Sequence, residues 1–300
     1  YPWNTRANIK IQEGCDFVCA FCIVPRSRGR ARSREFDDIM KEARVLAESG
    51  HRELVITGVN IGTYRDGNHT LADVLRRLAD IDSLERIRLS SIEPTTIEDA
   101  VIDHMAEGGK LCPYAHVPAQ SGDDGVLSAM RRKYDTSTYR RFMEDAIARV
   151  PNIGLGTDII VGFPGEDEAA FENSCELMRS LPFTNIHVFS FSARPRTTAH
   201  NLPHKVPAEE IRRRSATMHR IAEMKKADFY GNQEGLEHRV LFEERDENGD
   251  FVGFTDNYVK VAVETPEDLS NQLRNVRIVG VTRTGKTGSG ASLIAAGELL

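Results

Sequence analysis

The sequence has few cysteines and no long apolar run, and each shortage argues against a class of protein. No apolar stretch approaches the roughly 20 residues that a membrane-spanning helix needs, so we expect no membrane partner. The first six residues do not have the pattern of a secretory signal peptide. The five cysteines are an odd number, which argues against a secreted disulfide framework. These absences predict a cytoplasmic protein in a reducing compartment.

The chain also lacks an excess of positive charge. Its formal net charge is −6, which provides no general attraction to nucleic acid. Phosphate contacts need only local positive charge, so a polyanionic partner stays open. The sequence contains three groups of basic residues. The first has five like charges that repel one another, which favours a functional role, whereas the second is equally well explained as the solvated surface of a helix. The groups are Arg26, Arg28, Arg30, Arg32 and Arg34; Arg212, Arg213, Arg214, Arg220, Lys225 and Lys226; and Arg274, Arg277, Arg283 and Lys286.

Three of the cysteines lie within eight residues of one another, and no fourth is close by. Cys15, Cys19 and Cys22 have the spacing C-x3-C-x2-C. A structural zinc site normally has four ligands in two separated pairs, which this stretch does not offer. Three thiolates suit a 4Fe–4S cluster that is held at three irons and leaves its fourth iron open to another ligand. A metal site completed by a distant histidine or cysteine stays an alternative, as does chance clustering of reduced thiols.

The other residues that could ligate a metal show no pattern. Cys112 and Cys175 are isolated in the sequence, and we interpret them as buried structural thiols. The nine histidines show neither ligand spacing nor catalytic pairing, so none is assigned a role. Glu166 suits the first turn of a helix, where a carboxylate is favourable.

Strand-like and helix-like segments alternate about six times along the first two thirds of the chain. The alternation is typical of an α/β protein with a parallel sheet wrapped by helices. Six units are too few for a closed eight-stranded barrel. The predicted strands cover residues 8–12, 53–58, 86–91, 116–117, 153–161 and 185–192, and the predicted helices cover residues 36–49, 71–81, 97–105, 125–130, 136–150 and 168–180.

Glycine-rich or polar loops follow most of the predicted strands. Because the carboxyl ends of parallel strands meet at one rim, we expect these loops to converge on a single site. They are the cysteine loop and residues 57–60, 92–94, 120–122 and 162–165.

The character of the sequence changes after residue 229. Residues 207–229 have no internal glycine or proline and begin with Pro207, which is typical of one long helix. Short alternating runs follow at residues 239–243, 251–255 and 258–263, joined by turns such as Asn248-Gly249. We therefore predict two domains, an α/β domain over residues 1–229 and a small all-β barrel over residues 230–300.

These motifs together resemble the radical SAM tRNA methylthiotransferase family, and the resemblance covers nearly all of the chain. Met130-Arg131-Arg132-Lys133-Tyr134 and Arg32-Ser33-Arg34 are most similar to the MtaB-like subgroup, which acts on N6-threonylcarbamoyladenosine. The other matching stretches are Ile11-Gln12-Glu13-Gly14-Cys15, Ile23-Val24-Pro25 with Arg28-Gly29, Thr57-Gly58-Val59-Asn60, Leu89-Ser90-Ser91-Ile92-Glu93-Pro94, Pro118-Ala119-Gln120-Ser121-Gly122, residues 158–166 (DIIVGFPGE) and His187-Val188-Phe189.

The resemblance implies a partial (βα)6 barrel of the TIM type followed by a TRAM barrel that holds tRNA. It implies that Cys15, Cys19 and Cys22 bind a 4Fe–4S cluster whose open iron chelates S-adenosylmethionine. The implied reaction is C2 methylthiolation of the hypermodified adenosine next to the anticodon, with the tRNA anticodon stem-loop and a flavodoxin- or ferredoxin-type electron donor as partners. The isopentenyladenosine subgroup is the runner-up, and a third branch of the family modifies a ribosomal-protein aspartate.

The resemblance also suggests which residues contact the cofactor. Glycines at strand ends allow close backbone approach, and polar groups there suit ribose hydroxyls or the methionyl amino group. Phe21 would pack against the cluster or the adenine and keep water out. Turn and capping hydrogen bonds are the alternative for the polar groups, and a surface cation is the alternative for Arg132. The candidates are Phe21, Thr57, Gly58, Asn60, Glu93, Gln120, Ser121, Arg132, Asp158 and Gly162.

The sequence departs from the family in three respects. Asp123 stands where a small residue usually follows Gln-Ser-Gly, and Arg196 stands where glycine is usual. The family also has an N-terminal domain whose three further cysteines hold a second 4Fe–4S cluster, and we expect this chain to lack it. A chain of this kind could bind and cleave S-adenosylmethionine without inserting sulfur.

Two other functions stay open. An RNA-binding protein with a purely structural cluster would use the C-terminal barrel alone to hold tRNA. A radical SAM enzyme with another substrate would share the cysteine motif but not the target nucleoside.

Overall fold

The computed structural model describes residues 5–283 and 293–300, which form an α/β domain followed by a β-barrel. Lys286 of the third basic group lies outside these residues, as do the first four residues of the chain. None of the helices in the described part combines the length and apolarity needed to cross a bilayer.

Six parallel strands form a partial barrel in the first domain, which confirms the predicted fold. They are arranged as two three-stranded sheets that single-residue bridges connect, Ile87 to Leu111 and Ser91 to His116. The strands, in spatial order, are β1 (Arg6–Lys10), β4 (Glu53–Thr57), β5 (Arg86–Leu89), β6 (Tyr114–His116), β7 (Gly154–Val161) and β8 (Phe183–Ser190).

Residues 8–12, predicted as one strand, belong to two. Strand β1 ends at Lys10, and a short β2 (Gln12–Glu13) pairs antiparallel with β3 (Arg32–Ser33). The break lies at Ile11, whose amide donates to Thr57 O at 2.9 Å while its carbonyl accepts from Arg34 N at 2.9 Å. The chain therefore leaves the barrel at Ile11 and enters the cysteine loop.

The helices cover the outside of the barrel. Their amphipathic spacing predicted most of them within two residues, because one apolar stripe must face the sheet. The sequence did not predict the first, short helix. The helices are α1 (Val24–Arg28), α2 (Phe36–Glu48), α3 (Leu71–Ala79), α4 (Asp99–Ala106), α5 (Asp124–Ala129), α6 (Thr136–Arg149), α7 (Glu168–Ser180) and α8 (Ala208–Gly231).

Alternate residues of the barrel strands have opposite environments. Ile9 and Ile56 belong to the core between strands and helices and are fully buried. Their neighbours Asn8 and Val55 line a cavity of about 870 Å³ instead. This period of two follows from the strand geometry. Polar side chains such as Ser90, Asp158 and His187 also face the cavity, so much of the barrel interior is polar.

The second domain is a closed five-stranded barrel, as predicted. Phe229 and Tyr230, in the last turns of α8, belong to its apolar core, so the predicted boundary at residue 230 falls within a helix that both domains share. The last two strands were not predicted. The strands are β9 (Glu237–Arg245), β10 (Phe251–Thr255), β11 (Lys260–Val263), β12 (Leu273–Arg283) and β13 (Leu293–Leu299), in the order β10-β11-β13-β12-β9.

Two buried arginines of β5 join the domains. Arg88 forms an ion pair with Glu53 at 2.8 Å and donates to the carbonyls of Asp256 at 2.9 Å and Thr255 at 3.2 Å. Arg86 donates to the carbonyl of Phe254 at 2.9 Å. Both guanidinium groups are almost fully buried, so each depends on these partners to offset its lost hydration.

Candidate cofactor site at the rim of the partial barrel

The cysteine loop is closed at its base by the β2–β3 pair. Gly14 has φ +70°, and a Cβ there would lie 2.1 Å from the carbonyl oxygen of Arg30, so the position requires glycine. Two backbone bonds hold the loop, from Cys15 N to Gly29 O at 3.2 Å and from Ala20 N to Met130 O at 2.8 Å. All three thiols are free and partly buried. The loop thus presents three cysteines from a fixed backbone.

Arg132 links the cysteine loop to the end of β5. Its guanidinium donates to Cys19 Sγ at 3.2 Å and to both carboxylate oxygens of Glu93 at 2.5 Å. The Arg132 side chain is 3% exposed, and Tyr134 lies beside it with its hydroxyl 3.1 Å away. The structure therefore brings two predicted cofactor residues, Glu93 and Arg132, to one of the predicted ligands.

The chemistry of this donor set fits an iron–sulfur cluster. Burial raises the pKa of the Cys19 thiol, and the Arg132 cation opposes that rise. Burial also raises the pKa of the Cys15 thiol. A bound metal ion would deprotonate these thiols, and a donor to a cluster sulfur is one means of tuning such a site. Cys15, Cys19 and Cys22 are the residues that would hold the cluster.

Gln12 is a site residue that sequence reasoning missed. Its side-chain oxygen accepts from the amides of Val59 and Asn60, both at 2.9 Å, and its amide nitrogen donates to Gly14 O at 2.8 Å. It thereby ties the loop after β4 to the cysteine loop. Gln12 could have been found from its position in the family-like stretch Ile11–Cys15, which ends at the first cysteine. That stretch was used to identify the family, and its side chains were not considered as site residues.

Asn60 has an unused donor. Its side-chain oxygen accepts from Thr96 Oγ1 at 3.0 Å, whereas its buried Nδ2 has no partner in the described residues. A buried amide without a partner is unfavourable, so this nitrogen is available to a bound cofactor. Thr57 and Gly58 make structural contacts nearby: Thr57 Oγ1 donates to Ile9 O, and a Cβ at Gly58 would lie 2.9 Å from Gln12 O.

Three other candidates lie in the loops after two neighbouring strands, Gln120 and Ser121 after β6 and Gly162 after β7. Gln120 has φ +65° and pairs through its backbone with β7, and its amide donates to Asp158 O at 2.8 Å. Ser121 is buried, with its hydroxyl 3.4 Å from Ser174 Oγ. Gly162 has φ +81°, and a Cβ there would lie 2.4 Å from Ile211 Cγ1. Their cofactor contacts stay predictions.

Phe21 and Glu166 lie on the same side of the barrel. Phe21 packs against a small apolar cluster that includes Phe163 and Ala199. Glu166, interpreted as a helix-terminal charge, has a further contact: it accepts from the amide of Gly162 at 2.9 Å and from Arg214 at 2.7 Å. Burial raises the pKa of this carboxyl, although the Gly162 amide and Arg214 oppose the rise.

The structure brings two histidines to Asp158, which the sequence analysis did not foresee. His116 Nε2 lies 2.9 Å and His187 Nδ1 lies 3.2 Å from the same carboxylate oxygen. Burial raises the pKa of Asp158, but the bonds from the imidazoles outweigh it and hold the pKa at about 2. These residues come from three different strands, so no local spacing could have shown the group.

Three arginines of the first basic group contact carboxylates. Arg28 lies 3.3 Å from Glu13, Arg30 lies 3.0 Å from Asp16, and Arg34 pairs with Asp38 and Glu42. The Arg30 side chain is 89% exposed even so, which leaves most of its surface free for another partner. Such exposed pairs contribute little to stability and exchange readily.

Comparison with known proteins identifies the family. Residues 9–178 match the family model described as the radical SAM superfamily. This match covers more than half of the chain, and the chain belongs to the radical SAM superfamily. Membership of that superfamily implies a 4Fe–4S cluster and S-adenosylmethionine as cofactors.

The chain is also similar to two tRNA-modifying proteins. It is 34% identical over 283 residues to the threonylcarbamoyladenosine tRNA methylthiotransferase MtaB of Bacillus subtilis, covering 92% of this chain and 63% of that protein. It is 39% identical over 273 residues to a tRNA-2-methylthio-N(6)-dimethylallyladenosine synthase of Cereibacter sphaeroides, covering 91% of this chain and 62% of that protein. The chain therefore spans less than two thirds of either relative.

A solved structure has the same fold. Coproporphyrinogen III oxidase (HemN) from Escherichia coli, a radical SAM enzyme, superimposes with a TM-score of 0.56 at 16% identity. The superposition covers 87% of this chain and 67% of that chain. At this identity, the likeness shows the architecture alone.

Proposed function

We propose that this chain is the radical SAM core and RNA-binding barrel of a tRNA methylthiotransferase. The observation that carries the proposal is the extent of the similarity to tRNA-modifying relatives, which includes 91–92% of the chain and hence both domains. The radical SAM superfamily model, in contrast, matches residues 9–178 and so lies within the first domain. The proposed reaction is methylthiolation at C2 of the hypermodified adenosine next to the anticodon.

Each part of the rim has a proposed role. Cys15, Cys19 and Cys22 hold the cluster, which when bound supplies the electron for reductive cleavage of S-adenosylmethionine. Arg132 holds Glu93 in place and donates to Cys19, so it positions a cofactor ligand and a cluster ligand together. The apolar cluster around Phe21 excludes water from the reacting atoms.

The other predicted contacts extend this site. The unused Nδ2 of Asn60 donates to the cofactor, and Thr57, Gly58, Gln120, Ser121, Asp158 and Gly162 shape its surroundings. The target base must leave its stack to reach the rim, as bases in single-stranded RNA do when proteins read them. The C-terminal barrel and the arginines after the cysteine loop would hold the phosphates of the anticodon stem-loop.

We propose N6-threonylcarbamoyladenosine as the target nucleoside, in keeping with the relative from Bacillus subtilis. The polar lining of the barrel interior supports a polar N6 substituent, since Ser90, Asn185 and His187 face the cavity. The isopentenyladenosine substrate of the second relative is the alternative. A flavodoxin- or ferredoxin-type electron donor, a second 4Fe–4S cluster on an N-terminal domain and a cytoplasmic location complete the proposal.

The first experiment tests the cofactor chemistry. Anaerobic reconstitution of the chain with iron and sulfide should give one 4Fe–4S cluster, and addition of dithionite and S-adenosylmethionine should release 5′-deoxyadenosine. Cys19→Ala should abolish both results, whereas the matched control Cys175→Ala should retain them, because Cys175 is buried between α7 and the sheet. If S-adenosylmethionine left the cluster spectrum of the wild type unchanged and no 5′-deoxyadenosine formed, the enzyme hypothesis would be wrong. The alternative, an RNA-binding protein with a structural cluster, would then be favoured.

The second experiment tests the substrate. Nucleosides of tRNA from a strain without the gene should lack the 2-methylthio derivative of N6-threonylcarbamoyladenosine, and the intact gene should restore it. If the strain lacked the 2-methylthio derivative of isopentenyladenosine instead, isopentenyladenosine would be the target nucleoside. Unaltered methylthio nucleosides would remove the tRNA assignment while leaving the radical SAM chemistry intact.

A further inference from the structure

The interior of the partial barrel contains a second group of residues with metal-ligating side chains, separate from the cysteine loop. His116, Asp158 and His187 offer one ligand atom each, and these three atoms all lie within 4.8 Å of one another. They line the cavity of about 870 Å³. The proposed function counts His187 only as part of the polar cavity lining and gives neither histidine a role in catalysis.

The strand register explains how the three side chains meet. Asp158 of β7 pairs directly with His187 of β8, and His116 of β6 pairs with Gly156, two residues before Asp158. Gly156 leaves room for the imidazole, because a Cβ there would lie 2.5 Å from His116 Nδ1. Three neighbouring strands therefore direct two nitrogens and one carboxylate oxygen to one point.

The surrounding charges leave Asp158 without a cationic partner of its own. The two arginines that line the same cavity are already paired, Arg6 with Glu243 at 2.7 Å and Arg88 with Glu53 at 2.8 Å. Among the described residues, only the two imidazoles form hydrogen bonds with the Asp158 carboxylate. The Asp158 side chain is 20% exposed, so its negative charge is only partly hydrated.

Asn185 can fix the tautomer of His187 that a metal ion needs. Asn185 Nδ2 lies 2.6 Å from His187 Nε2. A half-turn of the side-chain amide would bring its oxygen to this nitrogen, so that Asn185 would accept the Nε2 proton and leave Nδ1 bare toward Asp158. An outer partner of this kind orients most histidine ligands in proteins and raises their basicity.

We propose that His116, Asp158 and His187 bind a divalent transition-metal ion, for which zinc is the probe. Two imidazoles and one carboxylate are the donor set of zinc sites that keep an open position and of ferrous sites of the facial-triad type. All three residues line the cavity, so the fourth position would face it. It would accept an oxygen or nitrogen atom of a molecule inside the barrel.

The test uses the chain with its cluster already assembled, so that Cys15, Cys19 and Cys22 are occupied. Under anaerobic conditions, dialysis against zinc should add one zinc ion per chain without loss of iron. X-ray absorption at the zinc edge should show nitrogen and oxygen neighbours at about 2.0–2.2 Å and no sulfur at about 2.3 Å. Sulfur neighbours, or no saturable zinc, would overturn the proposal.

Matched variants assign the zinc to the three residues. Asp158→Asn and His187→Ala should each weaken zinc binding at least about 100-fold, since changes to outer partners alone cost about 10- to 100-fold. His219→Ala, which alters an exposed histidine of α8, should bind zinc as the wild type does. Equal iron content and circular dichroism show that each variant is folded. Unchanged affinity in both barrel variants would contradict the assignment.

Discussion

Arg196 adopts a backbone conformation that disfavours its own side chain. Its φ is +70°, in the left-handed region that glycine enters without steric cost. The resemblance to the methylthiotransferase family singled out this position because glycine is usual there. The departure is therefore a source of local strain in the loop that follows β8.

Replacing Arg196 with glycine should stabilise the protein. The left-handed conformation costs an ordinary residue about 1–2 kcal/mol, and the extra freedom of glycine in the unfolded chain offsets about 0.5–1 kcal/mol of the gain. We expect Arg196→Gly to raise the free energy of unfolding by about 0.5–1 kcal/mol, measured by urea denaturation.

Arg194 provides the matched control for this prediction. It lies two residues earlier in the same loop and does not have positive φ in the structure. Arg194→Gly should therefore be neutral or destabilising. A loss of stability of the same size in both variants would show that φ at residue 196 is not strained.

Cys112 should make the stability of the protein sensitive to alkaline pH. Burial raises the pKa of its thiol to about 11. Below pH 8 the thiol is protonated in both the folded and the unfolded chain, so its contribution is complete. As the pH rises, the unfolded chain ionises first and is favoured, by about 1.4 kcal/mol for each pH unit between the two pKa values.

The measurement compares wild type and Cys112→Ala at two pH values. Between pH 8 and pH 10, the wild type should lose about 1–2 kcal/mol more of its free energy of unfolding than the variant. Buried tyrosines ionise in both proteins and cancel in the difference. Parallel losses in the two proteins would mean that Cys112 ionises as freely in the folded state as in the unfolded chain.

At the scale of the element, Asp123 is the N-cap of helix α5. Its Oδ1 accepts from the amide of Val126 at 3.0 Å, and its Oδ2 accepts from Asn173 at 2.9 Å. Serine and aspartate are about equally good N-caps. Asp123 therefore caps the helix as well as the small residue that is usual in the family would.

Two substitutions separate the cap from other effects of Asp123. Asp123→Ala should destabilise the protein by about 1 kcal/mol, because the amide of Val126 loses its acceptor. Asp123→Ser should cost less than about 0.5 kcal/mol, because serine restores the cap. Thermal denaturation of the three proteins gives the comparison, and an equal loss in both variants would point to the bond with Asn173 instead.

Elements differed in how well the sequence predicted them. Helix α7 was predicted to the residue, since one apolar stripe specifies both its length and its buried face. Strand β8 was predicted two residues late, because residues 183 and 184 continue the ladder with β7 beyond the alternating run. The strands β12 and β13 were missed because closure of the barrel, rather than local pattern, pairs them.

At the scale of the whole molecule, the two domains depend on one buried ionic group. Arg88 lines the barrel cavity, pairs with Glu53 and donates to two carbonyls of the second domain. A buried charge that loses its partner is strongly destabilising. Arg88 therefore helps to hold the second barrel against the first domain.

Substituting Arg88 should weaken the molecule and uncouple its domains. Arg88→Met removes both hydrogen bonds to the buried Glu53 carboxylate and leaves it only Arg86, 3.7 Å away, which costs at most about 3–5 kcal/mol. We expect a lower melting temperature and faster proteolysis near residue 231, at the end of α8.

Arg239→Ala is the control for the domain contact. Arg239 also crosses between the domains, to Glu85 at 3.0 Å, but its side chain is 45% exposed. Its loss should cost at most about 1 kcal/mol. If Arg88→Met and Arg239→Ala had equal effects, the buried group would not be what holds the domains together.

The sequence by itself determined the class of protein, the cysteine ligands as candidates and the order of the elements. Periodicity and spacing are local properties, so they can be read without knowing which segments meet. Only the tertiary structure brought Arg132 to Cys19 and placed Asp158 between His116 and His187. Residues that meet across strands far apart in the chain share no spacing, and only the register of the barrel brings their side chains together.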